Sequence, residues 1–193
     1  MRRPAVFALA LLLAAPAAAD TLTGGRFVAR TGDFSIDMHL AQDQVFRLDK
    51  ETSDASIAIA DFRFTPDASF WGLSSIRTIE WFKLATPIAP QANDKAARDI
   101  VDGYLSARYA GVAFTSAVPR KARAADGRLY YVFEAKGIVE NTPVTWRGAV
   151  LPFAHAIALV AQVTNTDAKK WGLQNEFDEP PFLRWAITLK PEK

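Results

Sequence analysis

The apolar run in the C-terminal third of the chain constrains the fold more than any other feature. Residues 156–163, AIALVAQV, do not alternate between apolar and polar side chains and have the length of one strand. Such a run is typical of a strand that is covered on both faces. The wider stretch over 148–163 is interrupted by Pro152 and His155 and is too short to cross a membrane. The run therefore predicts a sheet with helices on both sides.

The first nineteen residues have the three parts of a secretory signal peptide. Two arginines form a charged start, residues 5–15 form an apolar run, and three alanines end the segment at Ala19. The segment is too short and wrongly flanked for a membrane span. The sequence thus predicts cleavage after Ala19 and one mature domain over residues 20–193, which is periplasmic or secreted.

The mature chain has no excess of either charge. The full sequence has 23 basic and 21 acidic residues, and two of the arginines belong to the signal segment, which leaves 21 of each. A neutral balance offers no basic stripe for nucleic acid and no polybasic patch for anionic lipid. The chain contains no cysteine, which favours a disulfide-free domain of a bacterial periplasm. We therefore expect no nucleic-acid partner and no membrane span after signal cleavage.

Hydrophobic periodicity and turn residues predict an α+β fold that is largely an antiparallel sheet. An opening hairpin and further strands precede one long helix, and four more strands precede a closing helix. The basic run at 120–123 is interpreted as a solvated turn, with contact to an anion or an acidic partner as the alternative. The predicted strands are 27–30 and 34–40 (the hairpin), 45–48, 56–64, 75–84, 113–118, 129–136, 144–151 and 156–164.

The helices are predicted from caps and apolar stripes. The long helix is expected to be capped by Asn93 or Asp94 and to run to about Tyr109. One short helix is expected within residues 166–177. Pro180–Pro181 should open the closing helix. Its apolar face contains Phe182, Trp185 and Leu189.

Six stretches, which cover most of the mature chain, carry a resemblance to a known family: FSIDMH, SIAIADFRF, DKAARDIVDGYLSARY, LYYVFEAKG, TWRGAVLPFAHAIALVAQV and FLRWAITL. Their order and hydrophobic pattern resemble the PsbP-like α/β/α sandwich, in particular its bacterial exported members. The resemblance implies an antiparallel sheet with helices on both faces, and binding or accessory roles. Residues 65–91 depart from the pattern as an insertion, and no catalytic residue is carried over to this chain.

Asp37 and His39 are the candidates for catalysis. Two positions apart on a predicted strand, they share a face, so that the carboxylate could orient the imidazole. A hydrolase would also need a serine nucleophile, and the sequence has no Gly-x-Ser-x-Gly elbow. A solvated strand face explains the pair more simply. The two histidines, His39 and His155, do not have metal-ligand spacing, and there is no cofactor motif, so no metal or cofactor is expected.

Phe70 and Trp71 are the candidates for contact with a partner, because they lie in a turn-rich stretch of the predicted insertion. Large aromatic side chains there either pack beneath the loop or form an exposed anchor. We expect a non-enzymatic binding or accessory protein that acts through protein or small-ligand contacts. The alternatives are a carrier of a small apolar ligand, with a pocket between sheet and helix, and a hydrolase that uses His39 with Asp37.

Overall fold

Eight strands form one antiparallel sheet in the part of the chain that the computed structural model describes, namely residues 21–22, 25–38, 44–66, 75–89, 92–115, 117–139, 141–165 and 179–192. In chain order the elements are β1 (Thr21–Leu22), β2 (Arg26–Val28), β3 (Phe34–Asp37), β4 (Gln44–Ser53), β5 (Ile57–Pro66), β6 (Ser75–Lys83), α1 (Asn93–Arg108), β7 (Arg120–Arg123), β8 (Leu129–Val139), β9 (Thr142–Pro152), β10 (Ala156–Asn165), α2 (Glu179–Ala186) and β11 (Lys190–Pro191). The large sheet has the order β1-β4-β5-β6-β10-β9-β8-β7, and a small sheet has the order β11-β3-β2. The prediction of a largely antiparallel sheet is confirmed.

Strand β10 lies inside the large sheet and is buried on both faces, as its apolar run predicts. All residues from 156 to 162 are buried. Those from 156 to 161 alternate between two apolar clusters. Ile157 and Leu159 share a cluster with α1. Ala158 and Val160 share the other cluster with α2 and with the small sheet. This second cluster therefore contains residues of the β2–β3 hairpin as well as residues of α2.

The small sheet brings together segments from the two ends of the described chain. Strand β3 pairs with β2 in the predicted hairpin, and on its other side it pairs with β11, where Lys190 lies opposite Ser35. The Arg26 guanidinium lies 2.6 Å from the Glu192 carboxylate, and the Ser35 hydroxyl also donates a hydrogen bond to that carboxylate. The hairpin is anchored in the core by Phe27, Phe34 and Ile36.

Two strand predictions differ from the structure. The strand predicted at 45–48 is part of the much longer β4. The strand predicted at 113–118 is wrong, because residues 112–115 and 117–119 are irregular and Thr115 hydrogen-bonds β8 only at Lys136. Strand β7 forms instead at the basic run interpreted as a turn. An edge strand accepts such a run, because its charged side chains reach water.

Helix α1 matches the predicted long helix, but the predicted side-chain cap is wrong. The N-cap position is Ala92, and no side chain caps the helix. The Asp94 carboxylate instead accepts hydrogen bonds from Lys121 Nζ at 2.8 Å and from the Tyr131 hydroxyl at 2.7 Å. These two bonds hold the pKa of Asp94 below its ordinary value. The acidic residue at the start of α1 therefore fixes the helix to β7 and β8 rather than to its own first turn.

Helix α2 begins at Glu179 with the two prolines in its first turn, as predicted. It ends at Ala186, before Leu189, and the chain continues into β11. The predicted apolar face, Phe182, Trp185 and Leu189, is buried. The short helix predicted within 166–177 lies outside the described residues. Over the described ranges, no helix has the length and apolar character needed to span a membrane.

A charged cluster fixes the C-terminal turn of α1 to the sheet. The Arg108 Nε donates a hydrogen bond to Glu80 of β6 at 2.8 Å, and its Nη1 lies 3.2 Å from the Asp61 carboxylate of β5. The Thr78 hydroxyl donates a further bond to Asp61 at 2.8 Å. Burial raises the pKa of Glu80 above its ordinary value, although the nearby Arg108 acts in the opposite direction. The helix end is thus held by charges that are largely removed from water.

Candidate functional site

Four polar side chains cross the sheet in a single line on the face that packs against α2. The register places Arg77 of β6 opposite Gln162 of β10, Gln162 opposite Arg147 of β9, and Arg147 opposite Glu134 of β8. Directly paired residues of neighbouring strands lie on the same face of a sheet. We name these four residues the polar row.

The inner end of the polar row is buried. Arg77 and Gln162 are only 8% and 1% exposed, and the Arg77 Nε donates a hydrogen bond to Gln162 Oε1 at 2.8 Å. The Arg77 guanidinium also lies over the Trp185 ring of α2, 4.6 Å from its centroid. Within the described chain the buried Gln162 Nε2 has no hydrogen-bond partner. Because burial of an unpaired polar group is costly, this amide is a feature that packing alone does not explain.

The outer end of the polar row is reached by solvent. The Arg147 Nε donates a hydrogen bond to Glu134 at 2.9 Å, and Lys136 Nζ lies 3.2 Å from the same carboxylate. Partial burial disfavours the charged form of Glu134, but the bonds from Arg147 and Lys136 prevail and lower its pKa below the ordinary value. Glu134 is therefore ionised at neutral pH and orients Arg147.

A cleft opens between this outer end and α2. Its volume is about 260 Å³. Arg120 of β7 contributes a second guanidinium, and Phe182 and Leu183 of α2 form an apolar wall. The remaining lining comes from Val132, Phe133, Glu134, Arg147 and Gly148. We name this space the sheet–helix cleft.

The sheet–helix cleft has the chemistry to hold an acidic group next to an apolar one. Among the described residues that line the cleft, Arg120 and Arg147 are positively charged and Glu134 is negatively charged. Arginine binds carboxylates with a planar, two-pronged geometry, and such bonds are stronger than neutral ones. Of the two wall residues, Leu183 is partly exposed and can give a ligand an apolar contact in addition to charge.

The sequence candidates lie elsewhere in the chain. The Asp37 main-chain N–H donates to the Thr188 hydroxyl at 3.2 Å, and its carboxylate lies 3.7 Å from Arg26. His39 lies outside the described residues, so the catalytic pair stays a prediction. Phe70 and Trp71 also lie outside them, and their role in partner contact stays a prediction. Strand β6 falls within the predicted insertion 65–91 and lies between β5 and β10 in the sheet. The bounds of the insertion stay a prediction.

One signal in the sequence could have indicated the polar row. Gln162 is the single polar residue within the apolar run over 156–163. A polar side chain in a strand that is covered on both faces needs a buried partner. The partner, Arg77, and the next neighbour, Arg147, could not be identified without the register of the sheet.

The comparisons with known proteins concern the fold. No protein-family model and no curated protein sequence matches the chain. Among solved structures the chain is similar to the solution structure of cyanobacterial PsbP (CyanoP) from Synechocystis sp. PCC 6803, with a TM-score of 0.53 and 11% sequence identity. The match covers 86% of this chain and 91% of that chain. This match and the antiparallel sheet agree with the six stretches quoted above. The chain therefore has a PsbP-like fold.

Proposed function

We propose that the chain is a non-enzymatic binding or accessory protein of the bacterial periplasm, and that its sheet–helix cleft holds an acidic group of a protein partner or small ligand. The observation that carries this proposal is the pair of arginines, Arg120 and Arg147, beside the apolar wall of α2. The signal-like segment supports export. The packing of α1 and α2 in separate apolar clusters supports an α/β/α sandwich with helices on both faces.

The electrostatics of the cleft favour an acidic occupant. Arg147 is held in place by Glu134, whereas Arg120 makes no ion pair within the described chain. The two guanidinium groups lie on strands that flank β8, so they reach the cleft from either side. Because Glu134 already orients Arg147, this side chain loses little entropy when the cleft binds a carboxylate.

The test is co-purification of the tagged protein with its partner from the periplasm of the native host. We expect an Arg120→Gln/Arg147→Gln variant to lose the bound partner while it unfolds at the wild-type temperature. The matched control is Arg98→Gln, an exposed arginine on α1, which contributes no residue to the cleft and packs in the other apolar cluster. Retention of the partner by the double variant at the wild-type level would contradict the proposal.

The carrier function is a second candidate, favoured by the position of the cleft between a sheet and a helix. A space of about 260 Å³ is small for a ligand pocket, so a carried molecule would be small. The walls formed by Val132, Phe182 and Leu183 would contact its apolar part, and the arginines would contact its acid group. Mass spectrometry of the denatured, purified protein distinguishes this candidate, because a released small acid favours a carrier and a co-purified protein favours an accessory role.

Export is tested at the N-terminus of the protein recovered from the periplasmic fraction. We expect N-terminal sequencing to begin at Asp20, because the small residues before it form the cleavage site. The control is a variant with Ala17→Leu/Ala19→Leu, which should be processed poorly. Recovery of wild-type protein that still begins at Met1 in the membrane fraction would contradict the export proposal.

A further inference from the structure

We infer that β7 is a docking edge for an extended acidic segment of a partner protein, which adds to the large sheet as the next strand. The inference rests on the proposed function, because Arg120 belongs both to β7 and to the sheet–helix cleft. The partner segment is a stretch of chain in β conformation with carboxylates on both of its faces.

The first support is the position of β7 in the fold. It is the last strand in the order of the large sheet and pairs with β8 on one side, while no strand of the described chain pairs with its other side. Three of its four residues are exposed. Such an edge has unpaired main-chain groups that can bond an added strand.

The register identifies these main-chain groups. Beyond the end of β7, the Ala124 N–H donates to the Arg128 carbonyl at 3.0 Å, which continues the pairing of Arg123 with Leu129. In an antiparallel pair, residues that bond the partner strand alternate with residues that do not. Ala122 and Arg120 therefore bond β8, like Ala124. The main-chain groups of Lys121 and Arg123 point away from the sheet.

The side chains of β7 supply charge on both faces of the edge. Arg120 lies opposite Val132 and faces the cleft, whereas Lys121 and Arg123 lie opposite Tyr131 and Leu129 and face the α1 side. Lys121 is paired with Asp94. The Arg123 Nη1 donates to the main-chain carbonyl of Gly127 at 3.2 Å, and no carboxylate of the described chain neutralises it. One cation on each face thus lacks a counter-charge within the described chain.

The charge also selects the occupant. Basic side chains on an edge repel a second basic edge, so the pairing of β7 with another copy of itself is disfavoured. An acidic segment is attracted by the same charges. Because Arg120 and Arg123 lie three positions apart on opposite faces, the best segment carries two acidic residues with the same spacing.

The experiment uses the full chain without its signal and a terminally blocked, fluorescent peptide of about eight residues, long enough for one strand. The peptide consists of threonine, serine and valine with two glutamates three positions apart, and the matched control has glutamines there. We expect the glutamate peptide to bind at low salt and the glutamine peptide to bind about tenfold more weakly, because charge-assisted bonds are lost. Equal binding of the two peptides overturns the inference.

Two variants separate the main chain of β7 from its charge. Arg123→Ala removes the charge and keeps the outward N–H, whereas Arg123→Pro removes both, and proline is tolerated at a sheet edge. We expect Arg123→Pro to bind the peptide more weakly than Arg123→Ala, with both variants folded. Equal affinities contradict strand addition. Should the proline variant unfold, hydrogen exchange in the wild-type protein decides, because bound peptide must slow exchange of the Lys121 and Arg123 amides.

Arg147→Gln, which changes the cleft and not β7, and Arg123→Pro, which changes β7 and not the cleft, distinguish this inference from the proposed function. Partner co-purification that is lost in Arg147→Gln but unchanged in Arg123→Pro contradicts docking at β7 and leaves the cleft proposal standing. Co-purification that is unchanged in Arg123→Pro and in the Arg120→Gln/Arg147→Gln double variant contradicts both proposals. Loss in Arg123→Pro, with the peptide result above, supports docking at the edge.

Discussion

Replacement of Trp185 by alanine is expected to lower the free energy of unfolding by about 3 kcal/mol or more, the usual cost of emptying a buried site of a large aromatic side chain. Trp185 is only 3% exposed and packs beside Phe182, with ring centroids 6.0 Å apart. It also lies beneath the Arg77 guanidinium. Its loss would therefore leave a cavity under a buried cation, which makes collapse of the site difficult.

Urea unfolding followed by circular dichroism measures this effect, and Trp185→Phe is the matched control. Phenylalanine retains an aromatic ring beneath Arg77, so we expect a clearly smaller loss. An unfolding midpoint of Trp185→Ala close to that of the wild type would mean that α2 contributes little to the core. That result would contradict the burial of Trp185 in the core.

Replacement of Arg108 by alanine is expected to lower the free energy of unfolding by about 3 kcal/mol, because removal of one partner leaves largely buried charges unpaired. Asp61 and Glu80 have side-chain exposures of 15% and 9%, and Arg108 is the cation that contacts both. Glu80→Gln in the Arg108→Ala background should recover part of the loss, since one of the two uncompensated carboxylates is then neutral. No recovery would mean that the loss comes from the packing of the arginine stem.

The loss in Arg108→Ala is expected to depend on pH in a defined direction. The pKa of Glu80 is raised in the folded protein, mainly by burial. Because this pKa is raised, Glu80 makes its full contribution to the free energy of unfolding below the pKa that it has in the unfolded chain. This contribution is lost as the pH rises through the pKa of the folded protein. Without Arg108, ionised Glu80 is less well compensated. The destabilisation should therefore be greater at about pH 8 than at about pH 5, and the opposite order would contradict the assigned role of Glu80.

Features that depend on local pattern were predictable from the sequence. The unbroken apolar run of β10 and the stripe of α2 indicate burial directly, because each residue position determines the face on which its side chain lies. The basic strand β7 gives no such signal, since an edge strand with exposed side chains has the composition of a turn. Asp94 is of a residue type that commonly caps helices, but its carboxylate accepts hydrogen bonds from Lys121 of β7 and Tyr131 of β8 instead.

The candidate site could not be predicted in the same way, because its residues meet only through strand register. Arg77 lies on β6 and Arg147 on β9, and the register places both opposite Gln162 of β10. A shift of one residue in either pairing would move these arginines to the face of α1. Sequence periodicity gives the face of a residue on its own strand, but it does not give its neighbour across the sheet.

The pairing of β3 with β11 has a consequence for the time course of folding. During synthesis from the N-terminus the β2–β3 hairpin emerges before every strand of the large sheet except β1, whereas β11, which completes the small sheet, emerges after all of them. Until then Phe27, Phe34 and Ile36 have neither β11 nor α2 beside them. Contacts between distant parts of a chain form slowly, because a long loop must close first. Until α2 and β11 have formed, the hairpin thus lacks part of its apolar cover, and its apolar side chains are a candidate site for chaperone binding.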